Sequence, residues 1–272
     1  MENKIKAILG NNIQFTPTNL GLTNNIYKGK IGFENVAIRI PKEETKELSA
    51  FNNEKNVLPL IKDLDLDVPE IYYDSETRVR ITRWIPNAIE YKLCHDEDKI
   101  ERVAKILKKF HGANLKSGVD FNCVALLNEY RSHIKDLLHP LDDYYHLISD
   151  IQQIHNEHIL CHNDLVSGNL LFTKEKDYLI DYEYSKDNDP LFDIMSFFTE
   201  NKITDSNLRN RFYAAYFDSP LTPIQIKQLS IYESFHNLLW CTWANMMYDL
   251  LHEEIYLEIA NDKYNALKIS AQ

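Results

Sequence analysis

The sequence predicts an α+β chain of two lobes, a small β-rich one over residues 1–86 and a larger, mostly helical one over 87–272. Three observations carry this. The first third holds short runs of β-forming residues separated by turn-prone segments. Beyond residue 87 the apolar positions recur at helical spacing. A single hairpin pattern within 159–184 interrupts that helical stretch. A chain of 272 residues is long for one domain and suits two lobes sharing an interface.

In chain order, 13–16, 25–30 and 34–40 read as strands, and 45–62 as a helix ended by the acidic stretch DLDLD and Pro69. Residues 71–73 and 78–84 form a hairpin turning at Asp74-Ser75. Pro86 and Asn87 punctuate the chain and mark the expected lobe boundary. Asp96 is placed to cap a helix that carries Ile100, Val103, Ala104, Leu107 and Phe110 on one face. Helical patterns follow over 124–138 and 141–156. Leu170-Leu171-Phe172 and Tyr178-Leu179-Ile180 then flank the turn-like TKEKD, and from Pro190 onward the pattern is helical again. A small β-rich lobe followed by a helical lobe with one hairpin is the outline of a kinase.

Composition narrows the function. With 44% apolar and 26% charged residues the chain can bury a sizeable core. A formal charge of −11 argues against a nucleic-acid surface, where a basic stripe is expected, and is mildly compatible with a cationic substrate. The opening MENKIKAILGNN has no apolar core of signal-peptide length, and no stretch approaches the roughly 18 apolar residues of a membrane span. Cys94, Cys123, Cys161 and Cys241 are scattered, as reduced thiols in a cytoplasmic protein would be. Small molecules are thus the expected partners, without nucleic acid or membrane.

The chemistry is concentrated in CHNDLVSGNLLF and the later YLIDYEY. His162, Asp164 and Asn169 fit the spacing H-x-D-x-x-x-x-N of a kinase catalytic loop, and Asp181 ends the next strand. Phosphoryl transfer from ATP needs a carboxylate to take the attacking hydroxyl's proton, the role that falls to Asp164. It also needs oxygen ligands for Mg²⁺, supplied by Asn169 and Asp181. His162 braces the loop. In the first lobe, the stretch ending in Thr23, Asn24 and Asn25 lies between two strand patterns and would fold its N–H groups over phosphates. Arg39, in VAIRIP, stands where such folds carry a phosphate-binding lysine, and Glu54 is placed to pair with it. His155, His158, Cys161 and His162 crowd together but match no closed zinc set.

These motifs resemble the choline/ethanolamine kinase family, in particular the bacterial choline kinases of phosphocholine decoration, over nearly the whole chain. The likeness rests on HNDLVSGN, IDYEYS, Asp193 in NDPLFDI and the arginine at position 39. It implies a protein-kinase-like fold that moves the γ-phosphate of ATP onto choline. Asp164 is then the base, Asn169 and Asp181 bind Mg²⁺, and Asp193 bonds back to the loop. The backbone of Arg83, Trp84 and Ile85 would hold adenine. The resemblance further implies a choline site lined by Trp240, Trp243 and Tyr256 and completed by Glu200, since ring faces attract a cation that has no N–H to donate. Glu183 either meets the acceptor or orders the loop. The chain departs from the family in having one glycine in its phosphate loop and Val166 where animal enzymes favour a polar residue. Ethanolamine, thiamine or an aminoglycoside are the alternative acceptors, and a kinase-like binding module without turnover is the alternative class.

Overall fold

The computed structural model describes residues 6, 14–18, 21, 24–43 and 53–271. Its first part is an antiparallel sheet of five strands: β1 (Gln14–Pro17), β2 (Asn24–Ile31), β3 (Glu34–Pro41), β4 (Glu70–Tyr73) and β5 (Arg80–Arg83), ordered β1-β2-β3-β5-β4. Alternation sets which face is dry: Val36, Ile38 and Ile40 of β3 and Ile81 of β5 point the same way and, with Val79, make a small core of their own. The β2–β3 hairpin turns at Gly32, whose φ of +59° is the left-handed conformation that glycine adopts without steric cost. At Gly21 space as well as φ is limiting, since a Cβ would come within 2.6 Å of the Asn24 carbonyl. Helix α1 (Glu54–Ile61) follows; the expected helical residues 45–52 before it lie outside the described residues. The β4–β5 connection turns as the sequence implied, with the Asp74 carboxylate accepting from the backbone N–H of Glu76 at 2.9 Å.

After β5 the chain enters the helical part at β6 (Ile89–Glu90), which pairs with β8 (Leu170–Phe172), itself paired with β9 (Asp177–Leu179). Helix α2 (Lys99–Gly112) buries Ile100, Val103, Ala104, Leu107 and Phe110 on one side. Its cap differs from expectation. Asp98 holds the N-cap position, and the Asp96 carboxylate is drawn instead to Arg102 at 2.6 Å. The pattern over 124–138 also runs past the helix, α3 (Cys123–His133). Beyond it the Asp249 carboxylate takes the Lys135 N–H and the Asn245 side chain takes the Leu138 N–H, so side chains replace the helical carbonyls. The stretch 141–156 divides into a 3-10 turn at Leu141–Tyr144 and helix α4 (His146–Gln152).

Strands β7 (Ile159–Cys161) and β10 (Lys186–Asn188) pair antiparallel and bracket the motif-bearing segment. Four helices complete the chain: α5 (Pro190–Glu200), α6 (Ser206–Tyr216), α7 (Pro223–Leu251) and α8 (Glu254–Ser270). The 29-residue α7 starts with a capping box between Thr222 and Gln225 and is buried almost without break from Ser234 to Met247. It therefore forms the axis of the large core, with α8 folded back along it after His252 takes a left-handed C-cap. The four cysteines are buried and free, and no helix among the described residues is long and apolar enough to cross a membrane.

Candidate active site

The β7–β10 pair makes the site. Lys186 sits opposite Cys161 and Asn188 opposite Ile159, so the segments 162–169 and 181–185 leave one small sheet side by side. Asn163 and Asp181 both adopt left-handed backbone, with φ of +65° and +67°, which Asn and Asp tolerate better than other side chains. Asn163 is tied on all sides: its Nδ2 donates to Tyr184 O at 3.2 Å and its Oδ1 accepts from Asn188 at 2.8 Å. Asp193, fully buried in α5, accepts the backbone N–H of His162 at 2.7 Å and of Asn163 at 2.6 Å, and His111 Nε2 lies 3.0 Å away. The side chains of Asp193 and Asn163 thus hold the backbone of the loop.

His162 donates through Nε2 to the Ile180 carbonyl at 2.9 Å, and burial keeps its pKa below that of an ordinary histidine. A neutral, fully buried ring spent on a backbone carbonyl joins the loop to the strand before Asp181. Asn169 donates its amide nitrogen to Asp164 Oδ2 at 3.0 Å and to Asp164 O at 2.9 Å. The amide nitrogen is occupied, so its Oδ1 is the atom left for a cation. Burial, and then the charges of Glu200, Asp181 and Glu183, push the Asp164 carboxyl well above the usual range. Asp164 thus sits among acids, of which Asp181 is paired with Arg39 and Glu200 with Lys263.

Arg39 joins the two parts of the molecule. From β3 it pairs with Glu54 at the start of α1 and with Asp181 across the cleft. Burial opposes its charge, but Glu54, Asp181 and Glu183 outweigh that and hold the guanidinium protonated. Its Nε is buried with no partner among the described residues, as suits a donor awaiting an anionic oxygen. Asn24 and Asn25, expected in a phosphate loop, are the first residues of β2, paired with Pro41 and Ile40. The side chain of Asn24 crosses to Glu183 at 2.9 Å instead of facing a phosphate. Thr23 lies outside the described residues. In the expected adenine segment, the N–H groups of Arg83 and Trp84 are spent on Pro69 O and Asn35 O, at 2.8 and 2.9 Å.

The expected acceptor residues do come together. Trp240 and Trp243 meet edge to face at 5.9 Å between centroids, and Trp243 meets Tyr256 the same way at 5.6 Å. Sequence reasoning missed the next ring: Tyr184 stands edge-on to Trp240 at 5.4 Å, and its backbone carbonyl accepts from Asn163 at 3.2 Å. The array therefore begins next to the loop, one residue from Asp164. Sequence reasoning also missed His236, which fixes Trp240. The indole Nε1–H donates to His236 Nε2 at 2.8 Å, so the ring proton sits on Nδ1 and points to Thr199 Oγ1 at 2.6 Å. Glu200 is near, but its carboxylate already accepts from Lys263 at 2.6 Å. Lys263 was legible as an anomaly: a lysine in the stripe Tyr256, Ala260, Lys263, Leu267, which is otherwise buried and uncharged.

Comparisons with known proteins bear on the family and the fold. The family model described as choline/ethanolamine kinase matches residues 15–218. Protein LicA of Haemophilus influenzae is 26% identical over 254 residues, covering 83% of this chain and 71% of its own. The crystal structure of choline kinase LicA from Streptococcus pneumoniae superposes with a TM-score of 0.82, covering 98% of this chain and 99% of that one at 23% identity. A structure of LicA in complex with AMP superposes at 0.80, again 23% identical, over 98% of this chain and 96% of that one. The fold is protein-kinase-like.

Proposed function

From the premise that the chain belongs to the choline/ethanolamine kinase family, we propose that it transfers the γ-phosphate of ATP to the hydroxyl of choline, giving phosphocholine and ADP. One observation carries the choice of acceptor: the ring array Tyr184, Trp240, Trp243, Tyr256 starts next to the loop, where Tyr184 O accepts from Asn163, the residue before Asp164. A trimethylammonium held by rings gains about 0.5–2 kcal/mol per face, and its hydroxyl, two carbons away, then lies toward the carboxylate.

In this reading Asp164 accepts the hydroxyl proton as the oxygen attacks phosphorus, and the bridging oxygen departs with ADP. The raised pKa of Asp164 makes it a stronger base than an exposed aspartate. Asn169 Oδ1 and Asp181 are hard oxygen donors fit to hold Mg²⁺, which would neutralise phosphate charge when bound. Arg39 offers its unpartnered Nε to phosphate, and Glu54 keeps the guanidinium oriented. Ile85 would meet adenine; that a similar protein, LicA, is known in complex with AMP supports the use of a nucleotide. Glu183, bonded to Asn24, orders the joint between the two parts while lending negative charge to the acceptor side.

The test is turnover of an acceptor panel with ATP and Mg²⁺. Choline should be phosphorylated with the highest kcat/KM, and 3,3-dimethylbutanol, the same shape without charge, should be far poorer. Preference for ethanolamine, thiamine or an aminoglycoside would replace the acceptor and leave the phosphotransfer reading intact. Absence of turnover with every acceptor would favour a binding module.

A further inference from the structure

The pair formed by Glu200 and Lys263 lies outside the phosphoryl chemistry, yet Glu200 is linked to Trp240 through His236 and Lys263 shares the buried stripe of Tyr256. Glu200 is the last residue of α5, where a carboxylate adds to the negative end of the helix dipole. Lys263 comes from α8, on the buried stripe that also carries Tyr256. Either charge alone would be costly so deep in the protein. Their side chains are only 16% and 9% exposed, and Lys263 Nζ donates to Glu200 Oε1 at 2.6 Å. The same Glu200 oxygen lies 3.7 Å from His236 Nδ1, and His236 in turn receives the indole N–H of Trp240.

We infer that Lys263 is the resident counter-ion of Glu200: the protein's own ammonium, not the substrate's, neutralises this carboxylate, and the substrate cation is left to the rings and to Asp164 and Glu183. The inference rests on the acceptor reading above and alters one part of it, since Glu200 otherwise stands as the group that balances the substrate charge. It also gives the pocket a chemical preference. A primary ammonium brings three N–H donors that need acceptors once water is stripped away, whereas a quaternary one brings none. Occupying Glu200 in advance withdraws an acceptor that only the primary amine could have used. Lys263 thus acts through Glu200, as a positioning residue.

A double-mutant cycle on the full-length protein tests this. Glu200→Gln leaves the Lys263 charge uncompensated beside the cation site, so the KM for choline should rise at least tenfold while kcat changes much less. Adding Lys263→Met removes that charge, and the double variant should regain at least fivefold of the lost KM. A double variant no better than Glu200→Gln would overturn the inference, because it would make the substrate itself the partner of Glu200. If the double variant does not fold, the wild type decides through ¹⁵N-lysine spectra, with the Lys263 ammonium signal identified by its loss in Lys263→Arg. That signal should persist, protected from exchange, when choline is added; its release by choline would overturn the inference. Wild-type protein that does not turn over choline at all would instead refute the acceptor reading, a separate result.

Discussion

Asp164 and Asn169 share a hydrogen bond that divides the work between them: the amide nitrogen is consumed, and an oxygen of each residue remains for chemistry. Asp164→Asn replaces a base by a group that cannot take a proton, and kcat should fall by about 100-fold or more. ATP affinity, measured by calorimetry, should barely change, since Arg39 and the adenine segment are untouched. Near wild-type kcat would remove Asp164 from the mechanism. His162, Asp164, Asn169 and Asp181 were legible because they lie within twenty residues, and the chemistry dictates both their types and their spacing. The pairings of Asn24 and Lys263 were not. Their partners, Glu183 and Glu200, stand 159 and 63 residues away, and no local pattern connects side chains at that range.

At the scale of elements, one helix templates the loop. From α5, Asp193 holds the N–H groups of His162 and Asn163, Ser196 Oγ takes the N–H of Leu165 at 3.0 Å, and Asn201, just past its end, donates to Leu165 O at 2.9 Å. Asp193→Ala should strand two buried N–H groups at roughly 1–3 kcal/mol each, lowering Tm and kcat together. Ser196→Ala removes one bond and should cost only about 1 kcal/mol by denaturant unfolding, with kcat reduced a fewfold. Equal effects of the two substitutions would count against α5 as the template. The helices with a wide apolar stripe were legible; those that stopped early were not. The segment beyond α3 has helical periodicity, and its backbone is diverted by the side chains of Asp249 and Asn245, 114 residues on from Lys135 and 107 from Leu138.

Across the whole molecule, buried ionisable groups make stability depend on pH in opposing senses. His236 is neutral because burial, followed by the Lys263 charge, depresses its pKa well below the ordinary value. A base with a depressed folded pKa contributes fully above its unfolded pKa of about 6.5, and loses about 1.4 kcal/mol per pH unit as the pH falls below that. Asp164 and Asp67, with raised folded pKa values, act the other way. The histidine's share is therefore read by difference: the Tm gap between wild type and His236→Gln should narrow from pH 8 to pH 5, and a constant gap would refute it. The two-part outline was legible in the change from strand runs to helical periodicity, whereas its seam was not, being written in contacts between distant residues. Arg39 shows what that seam entails. It answers to Glu54 on one side and to Asp181 on the other. Any exchange of genetic material that replaces one part must also bring in a complementary charge for the guanidinium. A chimera joining either part to one without the matching charge should therefore fold poorly, with a buried ion left unpaired.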